Sequence, residues 1–354
     1  MRNSIDALWR RRLRRGLIVC GLEASALLAR AGIGKRFGGA GAIFALHHVR
    51  PVEQRPSAPN RHLEITPDFL ESVICRLAQE GYDVIRLEDV PQRLTTPQSR
   101  PFACFTLDDG YRDNRDHALP VFERHGVPFT LFVTRGFAER THSIWWETLA
   151  DLLNARTRLR ADLGRGEEDI NLSTAKARLD AFDRFARRLR QGDETETVAW
   201  LDGLASRHGI DPLEITRRLT LDGGELAELA RHPLVTLGAH TLSHRALGRL
   251  AEDESRAEMQ GSADWLAALT GRRPATLAYP YGSAATLSAR EPDLARTAGF
   301  TAAVTTQPGV VTRAHAAQLT ALPRISLNGY YQRPRYVTAL AAGIPFRLTG
   351  QRAP

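Results

Sequence analysis

The amino-acid sequence predicts an α/β protein of the (β/α)-barrel kind, in which parallel strands alternate with helices along the chain. Short apolar runs recur, for example at 102–107 and 127–133, and amphipathic stretches separate them. Glycine or proline residues bound these runs, and polar motifs directly follow several of them. A βα barrel carries its chemistry at the carboxyl ends of its strands, so this arrangement fits that fold.

Eight strands and several helices follow from these patterns. A strand is predicted at 41–46, and a Pro-rich loop over 50–66 leads to a helix over 67–79, for which Thr66 is a suitable N-cap. The remaining strands are predicted at 82–86, 102–107, 127–133, 234–239, 276–280, 301–305 and 320–326, and further helices at 116–125 and 254–269. Helical connections between the strands predict parallel pairing.

The chain divides into a basic arm at 1–40, a main domain at 41–330 and a C-terminal tail at 331–354. A length of 354 residues leaves room for one large domain or two ordinary ones. Within the main domain, the alternation of strand and helix stops at about 138–224, where a composition rich in Arg, Glu, Leu and Ala has a helical period. We therefore predict a helical insertion there.

The positive charge of the chain is concentrated at its start. The net charge is +8, and residues 1–40 contribute nine cations and two anions, which leaves +1 for the rest. No aromatic platform or reader motif accompanies this arm, so nucleic acid is not an expected partner. Cys20, Cys75 and Cys104 form no disulfide framework, which favours a reducing compartment and a cytoplasmic location.

A basic helix is predicted over residues 5–31. Glu23 and Arg30 interrupt its apolar run, which is too short for the core of a signal peptide or for a bilayer span. An amphipathic helix with an arginine-rich face can lie on anionic lipid, so residues 1–36 could contact the inner face of a membrane. A helix packed against the main domain explains the same pattern, and both interpretations stay open.

Two adjacent carboxylates, Asp108 and Asp109, follow the predicted strand at 102–107, and Gly110 allows a sharp turn after them. Neighbouring anions repel, more strongly when they are buried, unless a cation lies between them or one of them carries a proton. The pair therefore indicates a functional site, although a surface Asp-Asp-Gly turn has the same sequence.

His240 and His244 follow another predicted strand and are four residues apart. One helical turn would place both imidazoles on the same face. Together with an aspartate from another strand end, they offer two nitrogens and one oxygen, with positions left for water and substrate. This set is typical of a catalytic metal site, and two unrelated surface histidines are the alternative.

Three motifs follow strand ends in the order TLDDG (106–110), HTLSH (240–244) and YPYG (279–282). This order resembles the polysaccharide deacetylase family, the carbohydrate esterases with a NodB-homology domain. There a T-F-D-D-G motif supplies a base and a metal ligand, and an H-[ST]-x-x-H motif supplies two more ligands. Leu107 replaces the usual Phe. The resemblance covers roughly residues 40–330 and implies a distorted, incomplete (β/α) barrel.

The resemblance implies metal-dependent hydrolysis of N-acetyl groups on an amino sugar, within an oligosaccharide, a polysaccharide or a lipid-linked saccharide, with release of acetate. It implies that Asp109, His240 and His244 hold a divalent ion, with zinc expected. Asp108 would be the general base that takes the proton of a water molecule. The backbone N–H of Tyr281 is expected to help stabilise the oxyanion.

The third motif of the family lines the substrate groove, which assigns Tyr279, Pro280 and Tyr281 to substrate binding. Trp145, which precedes Trp146 near the start of the insertion, could stack on a sugar ring. Packing in the core of the insertion is the alternative for these tryptophans.

Two family features are missing from this chain. The third motif normally opens with an arginine that orients the base, and Ala278 occupies that position. The late motif with a Leu-x-His acid is absent, and Arg324 lies in the segment that takes its place. We hypothesise that Arg324 replaces the missing arginine and that His47 replaces the missing acid.

His47 and His48 directly follow the first predicted strand, and alternation lets at most one of them face the site. In relatives this strand often ends in a Tyr-His pair that matches residues 46–47, which favours His47. We expect His47 to be cationic beside Asp108 and to protonate the leaving amine, and His48→Ala to be nearly silent. One packed and one solvated histidine without a role are the alternative.

Two other functions stay open. A chain in which the missing arginine and histidine are not replaced could bind metal and sugar without turnover, as a carbohydrate-binding protein. A site of two histidines and one carboxylate is also typical of non-haem iron oxygenases, although the second carboxylate, Asp108, argues against them. Acetate release with zinc, without oxygen or a 2-oxoacid, separates the three functions.

Overall fold

The computed structural model describes residues 2–32, 39–96 and 100–348, with the backbone alone for residues 2–14. Of the predicted arm, residues 1 and 33–38 lie outside the described residues, as do residues 349–354 of the predicted tail. Residues 97–99 lie outside them as well.

The centre of the fold is a closed barrel of parallel strands. The described strands are β1 (Gly41–Leu46), β2 (His48–Val49), β3 (Glu64–Ile65), β4 (Asp83–Val84), β5 (Phe102–Leu107), β6 (Phe129–Val133), β7 (Arg158–Asp162), β8 (Glu167–Asn171), β9 (Val235–Ala239), β10 (Thr276–Ala278), β11 (Ala302–Pro308) and β12 (Leu322–Ser326). Seven of them follow the order β1-β12-β11-β10-β9-β6-β5, and β5 pairs with β1 to close the ring. A regular βα barrel has eight strands, so the expected incomplete barrel is confirmed.

Helices connect the strands and surround the barrel. The described helices are α1 (Arg2–Arg30), α2 (Pro67–Gln79), α3 (Val90–Thr95), α4 (Leu119–His125), α5 (Arg135–Ala138), α6 (Trp145–Asn154), α7 (Ala175–Gln191), α8 (Glu194–Arg207), α9 (Pro212–Leu219), α10 (Gly223–Leu229), α11 (Glu252–Thr270), α12 (Arg290–Thr297), α13 (Pro334–Ala341) and α14 (Ile344–Leu348). Thr66 caps α2 as predicted, because its hydroxyl accepts a hydrogen bond from the N–H of Phe69. The helix predicted at 116–125 starts later, at Leu119, after a π-helical turn over Asn114–Ala118.

Alternation along the strands decides which side chains point into the barrel. Ile43, Cys104 and Leu322 pack together in its interior. Phe44 and Phe105, one residue further along their strands, pack in the larger core between the barrel and the helices. The inward face of each strand continues toward the carboxyl end of the barrel, where the polar motifs begin.

The strand predicted at 82–86 is shorter than expected. Only β4 forms, and it pairs with Phe102 and Ala103 at the start of β5, outside the closed ring. From Phe105 onward β6 takes the place beside β5, so no hydrogen-bonding edge is left for a longer β4.

The insertion has its own core but is not wholly helical, so the prediction of a helical insertion at 138–224 is wrong in part. β7 and β8 form an antiparallel hairpin within it. Leu159, Ala161 and Ile170 face the core of the insertion, and charged residues alternate with them. The strands are short and their charged residues resemble those of the neighbouring helices, which hides the two-residue period.

The N-terminal helix packs on the C-terminal part of the chain. Leu22 and Ala26 of α1 contact Tyr336 of α13. Glu23 accepts hydrogen bonds from Arg335 and from the Tyr336 hydroxyl, and these bonds lower the pKa of Glu23 to about 2. These contacts support the packing interpretation of the arm for its described side chains. None of the helices in the described residues combines the length and apolarity needed to cross a bilayer.

Candidate active site

Three potential metal ligands converge at the carboxyl end of the barrel. Asp109 follows β5, and His240 and His244 follow β9. Oδ1 of Asp109 lies 3.4 Å from Nε2 of His240 and 3.3 Å from Nε2 of His244. All three side chains are buried, and one ligand atom of each lies within 4.8 Å of the others. The strand ends therefore bring together the three residues that the sequence motifs singled out.

The chemistry of this cluster suits a divalent cation. Within the described residues, Oδ1 of Asp109 is buried without a hydrogen-bond partner, and a buried carboxylate oxygen is unfavourable unless a donor or a cation faces it. Nδ1 of His240 lies 2.7 Å from the carbonyl oxygen of Ala278. Because that carbonyl oxygen can only accept a hydrogen bond, Nδ1 carries the ring proton and Nε2 of His240 keeps its lone pair for a metal. Burial would raise the pKa of Asp109, but the imidazoles of His240 and His244 hold it well below its usual value.

Backbone strain is concentrated around these ligands. Asp109, Thr241, His244 and Tyr281 have positive φ angles of 74°, 67°, 60° and 59°. Non-glycine residues rarely adopt this conformation, and it costs about 1–3 kcal/mol at each position. The two histidines lie on a strained loop, so the prediction that a helical turn places them on one face is wrong.

Glu258 of α11 holds the loop of residues 240–244, which carries both histidines, in this conformation. Its carboxylate accepts hydrogen bonds from the N–H groups of Leu242 and Ser243, at 2.8 and 2.9 Å, and from the Ser243 hydroxyl. The Thr241 hydroxyl accepts a further bond from the N–H of His244. Sequence analysis missed Glu258, because it lies on a helix 15 residues beyond Ser243 and belongs to no motif.

Asp108 is paired with Arg324, in agreement with the contact that the sequence analysis hypothesised. The guanidinium donates to both carboxylate oxygens, at 2.8 and 2.7 Å. Arg324 is buried and also donates to the carbonyl of Thr305 and the hydroxyl of Thr106. Burial raises the pKa of Asp108, but Arg324 outweighs that effect and lowers it. Asp108 is therefore an ionised carboxylate held in one orientation.

His47 faces the same end of the barrel as Asp108. His47 directly follows β1, and strand alternation places it on the same inward face as Ile43, four residues earlier. Nε2 of His47 lies 3.9 Å from Oδ2 of Asp108, and 20% of the side chain is exposed. Burial lowers the pKa of His47 despite the opposing charge of Asp108. The expectation of a cationic His47 is therefore wrong, because desolvation outweighs the neighbouring anion.

His48 points away from this site, into a buried cluster of charges. Its Nδ1 lies 2.6 Å from Oδ2 of Asp113, and its Nε2 lies 3.7 Å from Oε1 of Glu147. The ring stacks on Tyr111 with centroids 3.6 Å apart. Burial opposes the charged form of His48, but Asp113 and Glu147 raise its pKa to about 9. Two carboxylates would lose their counter-charge in His48→Ala, which contradicts the expectation of a silent substitution.

Asp113 and Asn114 connect the Asp-Asp motif to the first strand. Asp113 accepts a hydrogen bond from the N–H of Val49 at 3.1 Å, in addition to its contact with His48. The Asn114 side chain donates to the carbonyl oxygen of His47 at 2.7 Å. These two residues therefore position the backbone on both sides of His48. Sequence analysis missed them, although they lie within five residues of Asp109 in the same segment of polar residues.

The charged state of His48 predicts a pH dependence of stability. Because its folded pKa of about 9 exceeds the usual 6.5, the stabilisation is complete below pH 6.5 and is lost as the pH rises through 9. The shift corresponds to roughly 3 kcal/mol. We expect the difference in unfolding free energy between the wild type and His48→Gln, measured with urea, to shrink by that amount between pH 6 and about 9.5. A constant difference across this range would contradict the assignment of a cationic His48.

Two of the proposed substrate-binding residues are buried. Tyr279 belongs to the main core, and its hydroxyl donates to the carbonyl oxygen of Thr320 at 2.7 Å. Pro280 is buried as well, and its carbonyl oxygen accepts a hydrogen bond from the N–H of Gly282. The prediction that Tyr279 contacts substrate through its side chain is wrong, because the third motif turns it into the core, and the burial of Pro280 argues against the same role there.

Tyr281 borders the metal-ligand cluster. Its ring lies 5.0 Å from the ring of His244, and its hydroxyl accepts a hydrogen bond from the indole N–H of Trp145 at 2.9 Å. Trp145 is 7% exposed and packs edge to face on Trp146. Both tryptophans therefore pack in the core of the insertion, as the packing alternative describes, although Trp145 also lines two cavities, and stacking of a sugar ring on Trp145 stays a prediction.

Glu194, at the start of α8, connects the insertion to the site. Its carboxylate accepts hydrogen bonds from the Tyr281 hydroxyl at 2.5 Å and from the N–H of Ala246 at 2.9 Å. Two cavities share Trp145, Glu194 and Tyr281 in their linings, one of about 480 Å³ that reaches His244 and one of about 270 Å³. Sequence analysis missed Glu194, because only the fold brings the insertion to the third motif.

Comparisons with known proteins agree with this architecture. The family model for polysaccharide deacetylases matches residues 95–168 and 180–303. The Streptococcus pyogenes deacetylase PplD, solved in complex with acetate, is similar over 88% of this chain and 98% of its own, with a TM-score of 0.54 and 17% identity. IcaB from Ammonifex degensii is similar over 85% and 97%, with a TM-score of 0.52 and 16% identity. Among curated protein sequences there is no significant match.

The family match covers more than half of the chain. It includes the Asp-Asp pair, both histidines of the metal-ligand cluster and Tyr281, whereas His47 and Arg324 lie beyond its limits. The solved structures are less than 25% identical to this chain and show a shared fold. The chain therefore belongs to the polysaccharide deacetylase family, whose members are hydrolases that act on the carbon–nitrogen bond of N-acetylated saccharides.

Proposed function

We propose that the protein removes acetyl groups from an N-acetylated saccharide with a divalent metal ion, zinc, held by Asp109, His240 and His244. The observation that carries this proposal is Oδ1 of Asp109. It is buried, has no hydrogen-bond partner within the described residues, and lies 3.3–3.4 Å from two imidazole nitrogens. A bound ion would polarise the acetamide carbonyl and lower the pKa of a water molecule.

The two aspartates have different roles in this proposal. Asp109 is a metal ligand, and Asp108 is the general base that takes a proton from the attacking water. Arg324 supports this role because it occupies both oxygens of Asp108 from one side and keeps the carboxylate ionised. A base with a fixed orientation and one protonation state can accept a proton at the start of each turnover.

His47 is the proposed acid for the leaving amine. It is neutral at rest, because burial lowers its pKa, so it must gain a proton during the reaction. Asp108 can supply the proton that it took from water, since the carboxylate lies 3.9 Å from Nε2 of His47. The proton would then pass from His47 to the amine, which restores both side chains. The N–H of Tyr281, for which the described backbone offers no acceptor, is the proposed donor to the oxyanion.

The experiment that tests this function is an acetate-release screen. N-Acetylglucosamine oligomers of increasing length and lipid-linked N-acetylated saccharides are incubated with the zinc-loaded protein, without oxygen or a 2-oxoacid. We expect acetate from at least one class. Metal binding without acetate from any of them would favour a carbohydrate-binding protein instead.

Metal content is the second test of the cluster. The wild type is expected to carry about one divalent ion per chain, measured by elemental analysis, and His240→Ala/His244→Ala is expected to lose it, because one carboxylate alone binds zinc poorly. His125→Ala is the matched control, since His125 is exposed and pairs with Glu71 away from the cluster. A stoichiometric ion in the double variant would remove the metal assignment.

We also propose that α1 contacts an anionic membrane, which fits a cytoplasmic protein at the inner membrane face. Leu17 and Leu27 lie on the side of α1 opposite to the packed Leu22 and Ala26, and they are 71% and 68% exposed. Exposed leucines on a helix in an arginine-rich segment are typical of a helix that lies on anionic lipid.

The proposed membrane contact predicts binding to vesicles rich in phosphatidylglycerol in a sedimentation assay. Leu17→Ser/Leu27→Ser is expected to weaken this binding because it removes the apolar anchor, whereas the packing of α1 on α13 is left intact. Added salt should weaken it too, since it screens the attraction. Phosphatidylcholine vesicles are the control. Equal binding by wild type and variant would leave α1 with the packing role alone.

A further inference from the structure

The insertion contains a cleft of about 640 Å³ between the β7–β8 hairpin and α7, separate from the metal-ligand cluster. Its charged lining residues are Arg165, Arg184, Arg187 and Arg188, with Glu168 as the single acidic residue. Glu168 already forms an ion pair with Arg184. Four arginines against one glutamate give this arginine cleft a net lining charge of +3.

The arrangement of α7 explains how the arginines come together. Its apolar residues pack in the core of the insertion, and its arginines lie on the exposed and half-buried part of its surface. Arg184, Arg187 and Arg188 are three and four residues apart, so their side chains are neighbours on that face. Like charges at this spacing destabilise a helix unless counter-charges lie near them. Here residues of the β7–β8 hairpin lie across from these arginines, so the arginines line a cleft, unlike those of an ordinary solvated helix face.

Arg188 is held in a fixed orientation by an aromatic neighbour. Its guanidinium lies over the ring of Trp200, 4.5 Å from the centroid, which orients it. Its Nε is buried and has no hydrogen-bond partner within the described residues. The other hairpin carboxylate close to the cleft, Asp162, accepts three backbone N–H groups of the hairpin turn through Oδ1. Arg188 lines the cleft together with three further arginines, and this excess of cations over carboxylates suits an anionic ligand.

The arginine cleft lies next to the candidate active site. Thr197 of α8 lines it, and Glu194, three residues earlier on the same helix, binds the Tyr281 hydroxyl. Three residues of helix span about 4.5 Å. The neighbouring cavity of about 270 Å³, which Tyr281 lines, contains two further arginines, Arg190 and Arg249. Basic residues therefore extend from the third motif to the arginine cleft.

We propose that the arginine cleft binds a phosphate or pyrophosphate group that is attached to the saccharide substrate. The identity of the substrate in this inference rests on the proposed function, but the binding of a phosphate group in the cleft does not. Guanidinium groups bind phosphate oxygens in a bidentate way, and several of them converge here. A nucleic acid is disfavoured, because the face of Trp200 that could stack on a base is covered by Arg188.

The binding of inorganic pyrophosphate to the full-length protein tests the site directly, by calorimetry at constant ionic strength. Arg165→Ser/Arg187→Ser removes two exposed arginines of the cleft, and we expect its Kd to rise by about tenfold or more, since hydrogen bonds to charged groups are individually strong. Arg217→Ser/Arg218→Ser removes the same charge from exposed positions on α9 and is expected to leave the Kd within about twofold. Equal losses in both variants, or no saturable binding, would overturn the proposal.

Two further arms separate this site from the metal cluster and from other ligands. Binding of pyrophosphate should persist in His240→Ala/His244→Ala, and its loss there would place the ligand on the metal instead. If a single-stranded RNA oligonucleotide binds more tightly than pyrophosphate, and Arg165→Ser/Arg187→Ser loses this binding, the cleft is assigned to nucleic acid and the saccharide assignment is overturned.

The substrate part of the proposal is tested by turnover. Arg165→Ser/Arg187→Ser is expected to raise KM for a pyrophosphate-linked N-acetylated saccharide and to leave KM for a neutral N-acetylglucosamine oligomer unchanged. Equal KM changes for both substrates would overturn the link to a phosphorylated saccharide. Absence of acetate from every saccharide, with pyrophosphate still bound in the cleft, would count against the proposed function and leave the phosphate site in the arginine cleft in place.

Discussion

Asp108→Asn is expected to retain about one divalent ion per chain while its turnover falls by about 10²–10⁴-fold. The amide cannot take a proton from water, whereas the three ligands of the cluster are unchanged. Steady-state acetate release and elemental analysis of the same preparation measure the two effects. Asp109→Asn is the matched variant, because it is isosteric in the same way and should lose both metal and activity. Equal metal loss in the two variants would show that the aspartates share one role.

His47→Ala extends this test to the acid. It is expected to keep the metal and to lose activity by a similar factor, because the leaving amine would have no donor. A silent His47→Ala would assign the acid to another group, with the buried His315 next in order.

Arg324→Met is expected to destabilise the protein by about 3–5 kcal/mol, because it leaves the carboxylate of Asp108 buried without its counter-charge. Urea unfolding measures this effect. The variant should also lose about 10²-fold in kcat, since an unsupported base moves out of line with the water. KM is expected to change little, because Arg324 is buried behind Asp108.

Two companion variants separate charge from geometry at this position. Arg324→Lys keeps the charge but cannot hold both oxygens, so most of the stability should return and most of the kcat loss should remain. Asp108→Asn/Arg324→Met should be more stable than Arg324→Met alone, because no buried anion is left unpaired. If Arg324→Lys restores kcat fully, Arg324 acts through its charge and not through its two hydrogen bonds.

Local patterns in the sequence determined the barrel and the metal-ligand cluster. Short apolar runs that are buried along their whole length mark the strands, and the alternation of side-chain direction separates His47 from His48. Because parallel strands of a barrel end at one rim, Asp109 and the two histidines meet there without further information. The same patterns failed where two kinds of element look alike, as in the β7–β8 hairpin, whose charged residues resemble those of the helices around it.

The tertiary structure alone decided how the site is supported. Arg324 and Asp108 are 216 residues apart, and Glu194 meets Tyr281 across 87 residues, so no local period connects either pair. The charge states also depend on the fold. Burial makes His47 neutral, whereas the carboxylates of Asp113 and Glu147 keep His48 cationic, although the two residues are adjacent in the sequence. A sequence pattern records which face a residue occupies, but desolvation and long-range pairing exist only after the chain has folded.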